Sequence, residues 1–192
     1  MGQLQEHFSA GDNAYTYIGG VAGAYKYQNG QSFTALSAYN LNSVKLKLAK
    51  DGTPGTIIVE LYNADVNHYP TGAALVSGNT NGNTLTSDDT GEWREITFSS
   101  SYLLTQGNVY VIVIKCLGWR ALWRWQISGN GYATGKAVAT VNSGSSWYSP
   151  NSGTADQIFE NYDDYTFSPP VDIVTVRRLV AAAGNKFYYE DI

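Results

Sequence analysis

Residues 43–62, "SVKLKLAKDGTPGTIIVELY", decide the fold class. In the first arm Val44, Leu46 and Leu48 alternate with Lys45 and Lys47; in the second, Ile57, Val59 and Leu61 fall on one face, with Glu60 and Tyr62 on the other. A period of two is the signature of a half-buried β-strand, because successive side chains leave a strand on opposite faces. Between the arms, "AKDGTPG" gathers the Gly, Pro and Asp that turns favour, so the two arms are expected to pair as an antiparallel hairpin.

The same texture extends both ways along the chain. "WREITFSS" sets Ile96 and Phe98 against Arg94 and Thr97, and "GNVYVIVIK", from Gly107, is apolar on both faces and reads as a central strand. "AYTYIGG", "QSFTAL", "RALWRWQI", "GKAVATV", "SSWYS" and "QIFENYDDYTF" are further short candidates, each bounded by Gly, Ser or Asn. Helix signals are almost absent; "PTGAALVSG", from Pro70, has room for one short helical turn at most. Roughly eight to ten short strands at this spacing predict an all-β fold, a two-sheet antiparallel sandwich. Near Ser168 the texture changes. The Pro169-Pro170 break opens a tail whose arms, "TVRRLVAAA" and "KFYYED", are expected to form a hairpin joined at Gly184-Asn185. We therefore expect a sandwich domain over residues 1–168 and a linker with a hairpin extension over 169–192, serving to dock or to open a further domain.

Composition limits what the molecule can do. Of 192 residues, 43% are hydrophobic and 15% charged, so the exterior must be built largely from Ser, Thr, Asn, Gln, Gly and Tyr. A formal net charge of −4 supplies no basic field for nucleic acid or for an acidic membrane surface. The longest apolar run, "VYVIVI" from Val109, is far too short to span a bilayer, so no membrane insertion is expected. "MGQLQEHFSAGD" lacks a basic n-region and an apolar h-region, so no export signal is expected in this chain. Cys116, the single cysteine, ends an apolar strand and reads as a small buried hydrophobe.

Three stretches together resemble a known family. "QSFTALSAYNLNSVKLKLAKDGTPGTIIVELYNADVNHYPTGAALVSGNT" is followed by "WREITFSSSYLLTQGNVYVIVIK", with its L-x-x-G-x-x-Y turn, and by "GNGYATGKAVATVNSGSSWY" closing in "ADQIFENYD". Over residues 25–165 they resemble the choice-of-anchor or carbohydrate-binding-like β-sandwich modules of bacterial surface proteins and phage virion proteins. The resemblance implies a jelly-roll-like sandwich without catalytic residues, located on a virion or an extracellular surface. Its implied partners are other virion or surface subunits, a second copy of the chain, or a surface glycan. "RRLVAAAGNKFYYEDI" is similar to a segment of phage structural proteins, which assemble in the host cytoplasm without an export signal.

Candidate chemistry is sparse. The only histidines are His7 and His68, and neither stands in a nucleophile motif. The pairs Asp88-Asp89 and Asp163-Asp164 are adjacent, and so would point to opposite faces of a strand rather than flank a cleft. In "SDDTGE", Asp88, Asp89 and Glu92 offer the hard oxygen ligands that a structural calcium would take, the one cofactor the sequence could accommodate. No His/Cys cluster suits zinc. Among aromatics, alternation in "LWRWQI" puts Trp123, Trp125 and Ile127 in the core, with Leu122, Arg124 and Gln126 outside. Trp119, Tyr132, Trp147 and Tyr148 sit in turn-rich segments and are the candidates for ligand binding, either stacking on sugar rings or capping the sandwich ends. Tyr15, Tyr17, Tyr25 and Tyr27 alternate in the same way and suit a subunit interface equally well.

Overall fold

A computed structural model describes residues 2–20, 25–127, 131–165, 177–183 and 186–191. Its strands are β1 (Leu4–Phe8), β2 (Ala14–Ile18), β3 (Gln28–Thr34), β4 (Tyr39–Lys50), β5 (Thr56–Ala64), β6 (Pro70–Asn81) and β7 (Glu92–Leu104). They continue with β8 (Val109–Cys116), β9 (Ala121–Gln126), β10 (Ala137–Thr140), β11 (Asp156–Gln157), β12 (Phe159–Asp163), β13 (Arg177–Ala183) and β14 (Lys186–Asp191). Only two short 3-10 turns, Gly82–Thr84 and Pro150–Gly153, interrupt the strands among the described residues. The fold is all-β, as the sequence predicts.

The first twelve strands form one curled antiparallel sheet, ordered β1-β12-β4-β7-β6-β5-β8-β3-β10, with β9, β2 and β11 branching beside β4. The sheet is continuous between β6 and β7 through a single residue pair, Gly78 with Phe98. On either side of that seam lie two sets of strands that contribute to one core. Val44, Leu46, Leu48 and Ile96 come from one set and Ile57, Val59, Leu61 and Ile112 from the other, all fully buried in the same cluster. Strand β8 lies between β5 and β3, as its two apolar faces require; Val111 and Val113 on its second face are covered by Tyr62, Tyr69 and Trp147.

The structure corrects the expected pairing of the arms in residues 43–62. Strands β4 and β5 do not pair with each other. Strand β4 bonds to β7, β12 and β9, whereas β5 bonds to β6 and β8. The connection between them is held by other partners: Asp51 N–H donates to the Arg120 carbonyl (3.0 Å), Gly118 N–H to Pro54 (3.1 Å) and Gly82 N–H to Gly55 (2.7 Å). Alternation reports which face of a strand is buried, and both arms do bury the expected face. It carries no information on which strand lies alongside.

Two smaller corrections concern length. The segment expected to hold at most a helical turn is the start of β6, and "SSWYS" makes only an isolated bridge, Tyr148 with Ala139. The tail hairpin is present as β13 paired with β14 in a separate two-stranded sheet. Pro169-Pro170 and Gly184-Asn185 lie outside the described residues.

Candidate functional site

The β8–β9 connection carries Trp119 and Arg120 to the surface in a fixed posture. Trp119 N–H donates to the Thr53 carbonyl (3.1 Å), and Arg120 takes a left-handed backbone (φ 41°). A Cβ on Gly118 would collide with the backbone of Thr53 and Pro54, so only glycine lets the two loops approach this closely. The Arg120 guanidinium then lies 4.6 Å from the Tyr17 ring centroid and 4.9 Å from that of Trp119. Both rings stay open to solvent, at 42% and 49% exposure. Beside this stack is a cavity of about 350 Å³, walled by Tyr17, Tyr27, Asn29, Arg120, Thr140 and Tyr148 among others. On the far side of Tyr17 a second, more polar hollow of about 310 Å³ is lined by Tyr15, Lys50, Asp51 and Asp89. The Tyr15 and Tyr17 rings meet edge to face at 5.4 Å.

Polar side chains around the first cavity are unevenly committed. Asn29 donates to the Tyr17 carbonyl (2.7 Å) and accepts from Thr16 Oγ1 (3.1 Å), while Thr140 Oγ1 donates to Asn142 Oδ1 (2.7 Å). Arg120 makes one ion pair, with Asp51 at 3.7 Å, and both members are partly exposed. An exposed pair of that length holds the guanidinium only weakly.

Of the four aromatics singled out from sequence, Tyr148 lines this cavity and Trp119 lies against Arg120 beside it. The other two do neither. Tyr132 turns inward, edge-on to Phe159 at 5.2 Å and 6.3 Å from Phe8, where burial pushes its phenol up to about 12. Trp147 lies half-buried over Val111, Val113 and Val138, covering the outer side of β8 and only bordering a hollow beside Lys115. Arg120 and Asp51 are site residues that the sequence reading did not single out, and it offered Tyr17 and Tyr27 equally to a subunit interface. The available signal was the Arg directly after Trp119 in a turn, opposite a Tyr-rich strand.

The expectation for "LWRWQI" holds in part. Trp123 is fully buried and its Nε1–H donates to the Ile158 carbonyl (2.8 Å). Leu122, expected outside, is also buried, while Ile127, expected inside, is 41% exposed. Strand β9 pairs with β4 along Ala121–Trp123 and with β11 at Trp125 and Gln126, with β2 on its other edge, and its residues are buried over Ala121–Trp123 and only half-buried over Arg124–Gln126. Arg124 is on the outer face as expected, donating to Asp12 and to the Asp89 carbonyl.

Two of the three carboxylates considered for calcium serve other partners, and Asp89 contributes only its backbone carbonyl, to Arg124. Asp88 accepts from the N–H and hydroxyl of Thr90 (both 2.9 Å), which lowers its pKa. Glu92 pairs with Arg94 (2.5 Å), chiefly responsible for lowering the Glu92 pKa, and accepts from Thr86 N–H. Among the described residues no three His, Cys, Asp or Glu side chains converge on a metal position. Cys116 is buried, as expected, with its thiol pushed up by desolvation.

One histidine does meet a hydroxyl: His68 Nδ1 lies 2.9 Å from Ser32 Oγ. Ser32 is fully buried and its Oγ also accepts from Lys136 N–H (2.9 Å), an arrangement that ties the loop of residues 65–69 to β3. Burial first, then the Lys136 charge, lowers the His68 pKa. The neutral ring is therefore favoured in the fold. Its stabilising contribution is complete above the unfolded value of about 6.5 and is lost as pH falls below it. Asp156, buried while accepting from Gln31 Nε2 and Tyr132 N–H, has its pKa raised by desolvation to about 6 and acts in the opposite sense. Its contribution is full below about pH 4 and is lost as pH rises through the folded value. Thermal melts between pH 4 and 8 are expected to separate the two. His68→Gln flattens the loss of Tm on acidification, Asp156→Asn flattens the loss on alkalinisation, and unchanged slopes in both variants contradict the assignment.

No protein-family model matches the chain, and no curated protein matches it.

Proposed function

We propose that the chain is a non-enzymatic, jelly-roll-like β-sandwich module of a virion or cell surface, and that it adheres to surface glycans through the cavity beside Arg120. The observation that carries this reading is the pair of solvent-open rings, Tyr17 and Trp119, held against the Arg120 guanidinium, with Tyr17 and Arg120 themselves lining a 350 Å³ hollow. Aromatic faces accept the apolar face of a pyranose, and the Arg120 guanidinium beside them is a donor for its polar edge. The sandwich reading is supported by the two strand sets, which share only the Gly78–Phe98 strand pairing and fill one core from both sides. The expected result on a glycan array is selective binding by the chain, weakened about tenfold or more in Tyr17→Ala. Binding indifferent to Tyr17 sends the ligand elsewhere, and a blank array removes the reading.

An assembly role is a second reading with its own observation. The β13–β14 hairpin pairs with no other described strand, so its outer edges are open to a neighbouring subunit. Light scattering on the full chain and on a chain ending at Pro170 tests it. An oligomer that becomes monomeric on truncation supports assembly through the hairpin; two monomers, or two identical oligomers, exclude that contact.

A further inference from the structure

The cavity's polar chemistry points to a particular class of sugar, an inference that rests on the glycan reading above. Asn29 and Thr140 are engaged from within the fold, Asn29 donating to the Tyr17 carbonyl and accepting from Thr16, and Thr140 donating to Asn142 and accepting from its N–H. Arg120 is different. Among the described residues its guanidinium donates no hydrogen bond, and its ion pair with Asp51, at 3.7 Å, is longer than a hydrogen bond. The centre of its guanidinium lies 4.6 and 4.9 Å from the Tyr17 and Trp119 ring centroids. The rings and the tied backbone at Asp51 and Trp119 hold the cation in place without using its N–H groups. A guanidinium held in this way is prepared for a planar, bidentate acceptor, and a carboxylate fits that geometry where a neutral hydroxyl does not.

We propose that the ligand is an acidic saccharide, one whose ring lies against Tyr17 or Trp119 while its carboxylate takes paired hydrogen bonds from Arg120. Asp51 then acts as a competitor for the same cation. It moderates affinity for the acid group and keeps Arg120 compensated when the cavity is empty. The chain's overall charge of −4 opposes acidic polymers at long range, so discrimination must come from this one short-range contact.

The test compares acid and neutral partners of equal size by calorimetry: trigalacturonate against its methyl ester, and sialyllactose against its methyl ester. At least one acid member is expected to bind about tenfold tighter than its neutral counterpart. Arg120→Lys removes that preference while retaining neutral binding, and Asp51→Asn increases it about two- to threefold at low salt. The Asp51 variant leaves the core untouched and keeps the test valid if Arg120→Lys folds poorly. Equal binding of acid and neutral partners, abolished by Tyr17→Ala, overturns the acid preference and leaves the glycan reading intact. No binding by any of the four removes both. A hexaglutamate peptide binding as tightly as the acid sugars would show a carboxylate site without sugar recognition and overturn the saccharide part.

Discussion

Trp123→Ala is expected to lower the unfolding free energy by about 3–5 kcal/mol, the range for deleting a large aromatic from a closed core. Trp123 is fully buried where β9 lies between β4 and β2, opposite Leu48 on one side and Thr16 on the other. Truncation leaves a void that three hydrogen-bonded strands cannot close, and it orphans the Ile158 carbonyl that Nε1–H satisfies. Trp123→Phe separates these effects: it keeps most of the volume, loses the hydrogen bond and is expected to cost about 1–3 kcal/mol. Trp125, two residues along the same strand and only half-buried, is the comparison, with Trp125→Ala expected to cost less than about 2 kcal/mol. Urea unfolding measures all three. Equal losses for the two alanine variants would mean that burial does not fall from Trp123 to Trp125 as described.

Gly78→Val should act through the backbone instead of the core. Gly78 is the residue of β6 that pairs with β7, and a Cβ placed there would lie 2.5 Å from the Thr97 carbonyl oxygen and 2.9 Å from Ile96 Cγ2. Neither obstacle is the free end of a long side chain, so the strands themselves must part. Even Gly78→Ala is expected to cost about 1–3 kcal/mol, and the branched valine more. Amide exchange gives the sharper reading. Protection should fall first around residues 76–80 and 96–100, while β4 with β12 and β5 with β8 keep theirs. A Gly78→Ala variant within about 0.5 kcal/mol of the parent, with no change of exchange at the seam, would show that β6 and β7 do not approach as closely as the structure has them.

Most of the site could not be read along the chain. Trp119 and Tyr148 were visible as aromatics among turn residues, but nothing in the sequence says that Tyr17, more than a hundred positions earlier, covers Arg120. That contact exists because β2 pairs with β9 in a register that sets Tyr17 opposite Leu122, two residues from Arg120. Tyr132 illustrates the reverse case. Its glycine-flanked neighbourhood reads as an exposed loop, yet Asp156 takes its backbone N–H and the ring fills space beside Phe8 and Phe159.

By itself the sequence determined the β class, the buried faces of β4, β5 and β7, the interior place of β8, the burial of Cys116 and Trp123, and the two arms of the tail hairpin. Each of these follows from side-chain alternation or local turn chemistry, forces that act within a few residues. Strand partners were decided only in the tertiary structure. A strand's hydrogen-bonding edge is the same peptide group at every residue, so the chain can specify a wet face without specifying a neighbour. For that reason β4 and β5 bury the expected faces and still lie in different parts of the sheet, and the Tyr17, Arg120 and Trp119 stack forms where two distant segments, β2 and the β8–β9 connection, are brought together.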